Sequence, residues 1–145
     1  MAAYNKFNLF TQDLCRGSHN LQSGGHTFNV MLTNTAPVAA NHLYSDVSGT
    51  ELANGGGYTT GGLASAMSDT SASGTEKVLA TNVTWTGSGA GTGPFRYVVI
   101  YNATQTTPLK PLVCWFDYGS SIPGLNPGDT FAVTFDATNG LFQLT

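Results

Sequence analysis

Short apolar segments with a two-residue period, separated by connections rich in Gly and Pro, constrain this chain more than any other feature of its sequence. Successive side chains of a strand point to opposite faces, so alternation marks a strand with one buried face and an unbroken apolar run marks one buried on both. Residues 26–33 (HTFNVMLT) set Phe28, Val30 and Leu32 against Thr27, Asn29, Met31 and Thr33, which predicts a strand with one buried face. Residues 77–86 (KVLATNVTWT) read as the next strand, packed through Leu79 or Val83 and Trp85. FRYVVIY at 95–101 is apolar on both faces and belongs at the centre of a sheet, and PLVCWFDY at 111–118 reads nearly the same way. TFAVTFD at 130–136 alternates, with Phe131, Val133 and Phe135 on one face. Asn139-Gly140 is a favoured two-residue turn and predicts a hairpin closed by the C-terminal LFQLT.

Six or seven strands follow, with no crossover helix between them, so the pairing is expected to be antiparallel. The fold class expected is all-β: a jelly-roll-like antiparallel β-sandwich, one domain over residues 1–145, with a short helix in an N-terminal arm over residues 1–25. No internal repeat of about 20–50 residues is visible, which argues against a propeller or solenoid.

The helix is expected over residues 5–16. Phe7, Phe10 and Leu14 fall at i, i+3 and i+7, with Asn5 as N-cap and Gly17 just past the end. So short a helix is marginal alone. Its Phe face must dock either on its own domain or on a neighbouring subunit. Residues 41–46 are expected to make a helical turn. Residues 49–75, with Gly55-Gly56-Gly57, Gly61-Gly62 and the polar run SAMSDTSASGTE, read as a long loop with an edge strand around 63–67.

Charged residues make up only 9% of the chain, against about 25% in an average soluble domain. Thr, Asn, Ser and Gly take their place. A neutral polar surface loses little on desolvation, which suits a subunit of an assembly. The five Lys and Arg are scattered, so no basic patch is expected to neutralise phosphates or anionic lipid, and no nucleic acid or membrane partner is assigned. No segment approaches the roughly 18 apolar residues of a membrane span. MAAYNKFNLF lacks the charged and apolar regions of a signal peptide, so synthesis in a cytosol is expected, and the N-x-T sequons at Asn82 and Asn102 are read as chance.

No motif assigns chemistry. Gly87-Ser88-Gly89-Ala90-Gly91-Thr92-Gly93 lacks the Gly-Lys-Ser/Thr of a phosphate loop and leads into a strand, so it reads as a flexible connection. His19, His26 and His42 do not have zinc-ligand spacing, and neither metal nor cofactor is expected. Asp117 stands out among eight carboxylates because it lies in the apolar run CWFDYGS. It is either a strand-end acid accepting backbone hydrogen bonds or a buried functional acid. Serine hydrolase chemistry has no local support, there being no G-x-S-x-G elbow. Cys15 and Cys114 allow one disulfide, but two buried thiols are the simpler reading. The strand aromatics read as core rather than as a sugar-stacking platform. No catalytic residue is assigned, and the chain is not expected to be an enzyme.

Several motifs occur in a distinctive order. Phe7, Phe10, Asp13-Leu14, Gly17 and His19-Asn20-Leu21 precede FNVMLT and Asn34-Thr35-Ala36-Pro37. Gly57-Tyr58-Thr59-Thr60-Gly61-Gly62 follows, then FRYVVIYN at 95–102 and PLVCWFDYGS at 111–120. Across nearly the whole chain this order resembles a family of small virion proteins of tailed bacteriophages. The resemblance implies a structural component of the particle and carries over no catalytic residue. Within it, the preferred expectation is a capsid decoration (cement) protein on the capsid exterior, made in the host cytoplasm. Its partner would be the major capsid protein, and it would self-associate as a dimer or trimer. Many weak contacts on a lattice can reinforce a shell through multivalency. Phe7, Phe10 and Leu14 are the candidate interface anchors, because aromatic side chains dominate interface energetics; the alternative is that they close the chain's own core. Two other functions fit less closely: a tail or head–tail connector component, and a carbohydrate-binding module or small hydrolase on the virion surface.

Overall fold

Phe95–Asn102 forms the strand about which the rest is built, buried along its second half on both faces. The computed structural model describes residues 2–89 and 92–145. In chain order its elements are β1 (Tyr4–Lys6), α1 (Phe10–Cys15), β2 (Phe28–Thr33), 3-10 turns at Tyr44–Asp46 and Ser48–Thr50, β3 (Leu63–Ser65), β4 (Met67–Ala72), β5 (Thr75–Ala80), β6 (Val83–Thr86), β7 (Phe95–Asn102), β8 (Leu112–Ile122), β9 (Thr130–Val133) and β10 (Phe142–Leu144).

The strands form antiparallel sheets, as the missing crossover helices predict. One has five strands in the order β1-β8-β7-β2-β3, a second has the order β10-β5-β4, and β6 pairs with β9. The two-residue period of β2 and β7 dictates how these layers meet. Phe28, Val30, Leu32, Val98 and Ile100 leave one face of the large sheet and pack with Val78, Val83 and Trp85 of the smaller sheets, giving a β-sandwich-like core. Met31, Val99, Tyr101 and Leu112 form a second core with Phe7 and Val47. Each Val, Leu or Phe buried in this way contributes about 1.5–3 kcal/mol relative to exposure.

Met31 and Thr33 are therefore as buried as Val30 and Leu32, and β2 is covered on both faces rather than the expected one. Residues 44–50 supply the second cover, and the Thr33 hydroxyl donates to Thr50 O at 2.6 Å.

The N-terminal segment also departs from expectation. Helix 5–16 is replaced by β1, paired with Cys114–Phe116, and by α1, which begins only at Phe10 with Leu9 at the N-cap and no side-chain cap. A short helix leaves its first N–H groups unpaired, whereas the β8 edge offers Tyr4–Lys6 ready partners. Gly17, at φ 72°, ends the helix in the left-handed region as expected.

Further along, the edge strand expected around 63–67 is present as β3, and strand structure continues through β4 where a loop was expected. β4 and β5 make a hairpin closed by Ser73 (φ 52°) and Gly74 (φ 82°), the two left-handed positions of a type I′ turn. KVLATNVTWT divides at Thr81-Asn82 into β5 and β6, which belong to different sheets. The expected C-terminal hairpin does not form, since β9 pairs with β6 and β10 with β5. The Gly-rich connection read at 87–93 includes Ala90 and Gly91, which lie outside the described residues.

Candidate functional site

Three polar clusters and one groove hold the groups that could do chemistry or binding. The first gathers all three histidines near the end of β7. Asn102 is fully buried there. Its Nδ2 lies 2.9 Å from His26 Nδ1, 3.2 Å from His19 Nδ1 and 3.1 Å from Ser18 O, while its Oδ1 accepts the N–H of Thr104 and of Gln105 at 3.1 Å each. An amide nitrogen only donates, so the histidine nitrogens facing it accept. Burial lowers the His19 pKa from 6.5 to about 4, partly opposed by Asp13, so this ring is neutral at pH 7. Asp13, on α1, is 2% exposed, and His42 Nε2 lies 2.8 Å from its carboxylate. A His–Asp pair can serve a nucleophile, but among the described residues no Ser, Thr or Cys side chain hydrogen-bonds His42. Nor, among the described residues, do three His, Cys, Asp or Glu side chains converge as metal ligands. The cluster ties residues 18–26 to the main sheet. It also buries one of the two sequons, Asn102.

A second cluster centres on Glu51. Tyr58 donates to Oε1 at 2.6 Å, Gly61 N to Oε1 at 2.7 Å, and Tyr44 to Oε2 at 2.5 Å. Burial, and then the bond to Glu51, push the pKa of both tyrosines far above their ordinary value. Tyr58 also accepts the N–H of Leu32 at 3.1 Å, and Tyr101 donates to Gly61 O at 2.8 Å. These bonds fasten residues 51–62 onto β2 and β7.

Asp117 is not a buried functional acid. It forms a bidentate pair with Arg96, at 2.7 and 2.8 Å, on the solvent side of the β7–β8 ladder, and accepts the N–H of Gly119. Arg96 and then Gly119 hold its carboxyl below the usual range. The strand-end alternative holds only in part: Asp117 accepts one backbone N–H, but it lies in the middle of β8 and its main partner is a side chain, Arg96.

The groove opens where β1 and β8 meet β9 and the following connection. It encloses about 420 Å³ and is walled by Tyr4, Phe116, Tyr118, Phe131, Phe135 and Leu141. Tyr118 is 57% exposed and meets Phe131 edge-on at 6.0 Å between ring centres. Asp136 is the one charged residue on its lining, and its carboxylate is taken up by the N–H groups of Thr138 and Asn139 and by Asn139 Nδ2. Walls like these suit an apolar occupant.

The sequence-derived anchors lie elsewhere. Phe7 is fully buried in the second core against Trp115, at 4.6 Å between ring centres. Phe10 is 2% exposed in the first core, edge-on to Phe142, and Leu14 packs against the same core. They do not share one helix face, because Phe7 precedes α1, and Phe7 and Phe10 are closed within the chain's own core. Trp85 is buried as well, and Trp115 packs against the second core, so neither forms an open sugar platform. The cysteines are free, Cys114 buried and Cys15 exposed. The second departs from the reading of two buried thiols, because Cys15 sits on the outer side of α1.

Sequence reasoning missed Glu51 and Asn102. Glu51 is one of two glutamates in the chain and lies just before a Gly-rich stretch that carries Tyr58, a composition that calls for an anchor. Asn102 follows the most apolar strand and opens a turn, where Asn commonly accepts backbone N–H groups.

Among the described residues no helix is long and apolar enough to cross a membrane. Comparison with families of known proteins, with curated proteins and with solved structures finds no match.

Proposed function

We propose that this chain is a non-catalytic structural protein of a tailed-phage particle, a decoration (cement) protein that binds the outside of the major capsid shell and stabilises it. The observation that carries the reading is the groove. It is open, aromatic and almost free of charge, on a chain whose acids and histidines are largely engaged in holding its own loops. Such a groove takes an apolar segment of another protein, and a low-charge rim loses little on desolvation. The occupant in this reading is a segment of the major capsid protein, presented many times on the lattice, and the subunit acts as a homo-oligomer. We read the sandwich as jelly-roll-like, on the passage of residues 63–72 from β3 in one sheet to β4 in another.

Labelled antibody against the chain, imaged on intact particles, tests the reading. Label spread over the head lattice supports decoration. Label confined to the tail or the head–tail junction replaces it with a tail or connector role, and particles without label remove the virion reading.

A further inference from the structure

The outer edge of β4 is unpaired. β4 runs in unbroken register with β5, from Met67 opposite Ala80 to Ala72 opposite Thr75. Among the described residues no main-chain hydrogen bond runs to its other side, and β5 is its one substantial neighbour. Asp69, Thr70, Ser71 and Ala72 are all exposed. Exposed edges are usually guarded by a bulge, a Pro or charged side chains; β4 (MSDTSA) has neither bulge nor Pro, and Asp69 is its one charge. β8 is longer, but β1 and His42 cover its first half, and it steps out of register with β7 beyond Asp117.

The turn fixes which groups face outward. A two-residue turn makes Ala72 and Thr75 a hydrogen-bonded pair. The Thr81 N–H donating to Ala66 O at 3.0 Å sets residue 66 in the same phase. Even-numbered residues of β4 therefore address β5, and the N–H and C=O of Met67, Asp69 and Ser71 point to the open side. A two-fold axis perpendicular to the sheet brings two such edges together antiparallel, and residues facing each other must then share a face. One register sets Asp69 against Asp69 of the second copy, a like-charge contact that opposes pairing. The next sets Thr70 against Thr70 on the axis and Asp69 against Ser71. There the outward groups of Asp69 and Ser71 form the hydrogen-bonded pairs, each carboxylate faces a Ser hydroxyl, and the Thr70 pair packs at the close, non-hydrogen-bonded spacing.

We propose that β4 is a homodimerisation edge, pairing with β4 of a second copy in the Thr70-centred register and joining two three-stranded sheets into one. The edge is self-complementary in hydrogen bonding and face, and this register sets no like charges directly opposite each other; this holds whether or not the protein decorates a shell.

The full chain carrying Cys15→Ser, which removes the exposed thiol, is combined with Thr70→Cys. The Cα separation of a non-hydrogen-bonded pair, about 4.5 Å, lies within disulfide reach. Mild oxidation is expected to convert most of this variant to a covalent dimer. Sedimentation equilibrium of the unsubstituted chain is expected to show a concentration-dependent dimer, with a dissociation constant raised at least about tenfold by Ser71→Pro. Proline at 71 removes an outward N–H and leaves the bonds to β5 in place. Three results would each overturn the proposal: a monomer at all concentrations, a dimer unaffected by Ser71→Pro, or cross-linking of Thr70→Cys no faster than that of Ser121→Cys on the exposed end of β8.

Discussion

Tyr58 donates its hydroxyl hydrogen to Glu51 Oε1 across 2.6 Å and accepts the N–H of Leu32 on the same oxygen. The bond joins the first residue after the 3-10 turns to a ring packed in the first core beneath β2. Glu51→Ala strands the Tyr58 hydroxyl and the Gly61 N–H together. Unsatisfied buried groups cost about 1–3 kcal/mol each, so a loss of about 2–3 kcal/mol in urea unfolding is expected. Glu51→Gln keeps one carbonyl acceptor and should cost about half as much.

His19 makes stability depend on pH. Its folded pKa is about 4 against 6.5 unfolded, so between these values the unfolded chain binds the extra proton and stability falls as pH falls. The expected loss from pH 7.5 to pH 5 is about 2 kcal/mol. Asp46, Asp117 and Asp136 have values lowered from 3.8, so their contribution is lost only as pH falls through and below that value. Urea unfolding at the two pH values checks this, and His19→Gln should flatten the difference.

Gly62 and Gly49 separate a required glycine from an incidental one. Gly62 has φ 73°, and a Cβ there would stand 2.0 Å from the carbonyl oxygen of Val30. Gly62→Ala combines left-handed strain with a backbone clash and is expected to cost more than about 2 kcal/mol. At Gly49 a Cβ meets nothing within 4 Å, and Gly49→Ala should stay within about 0.5 kcal/mol. Thermal unfolding of the two variants reads the contrast.

The strands that fold around the two cores were legible in the sequence because their apolar period is local. FRYVVIY reads as central and β7 is central. What the sequence did not show depends on partners far along the chain. Asn5 and Lys6 read as the start of a helix until the β8 edge is there to pair with them. SDTSA looks like a loop because both its faces are wet, so the period carries no signal. KVLATNVTWT looks like one strand because Thr81-Asn82, where it changes sheets, lacks Gly or Pro. For the site, the aromatics of the groove were visible only as core residues. Tyr118 and Phe135 obey the same alternation as buried neighbours, and only the gap between β8 and β9 leaves them open. Asp117 was visible as unusual, but neither reading placed it mid-strand beside Arg96, because that partner comes from β7 across the ladder; only the backbone hydrogen bond, from Gly119, was foreseen.

The most direct test of the proposed capsid role is binding of the purified chain to phage heads that lack it. Saturable binding to the heads and none to isolated tails is expected, with heads made more resistant to disruption. Tyr118→Ala, at a position 57% exposed on the groove wall, is expected to weaken binding at least about tenfold while leaving the unfolding midpoint nearly unchanged. Absence of saturable binding to heads, or binding that is indifferent to Tyr118, would overturn the capsid role.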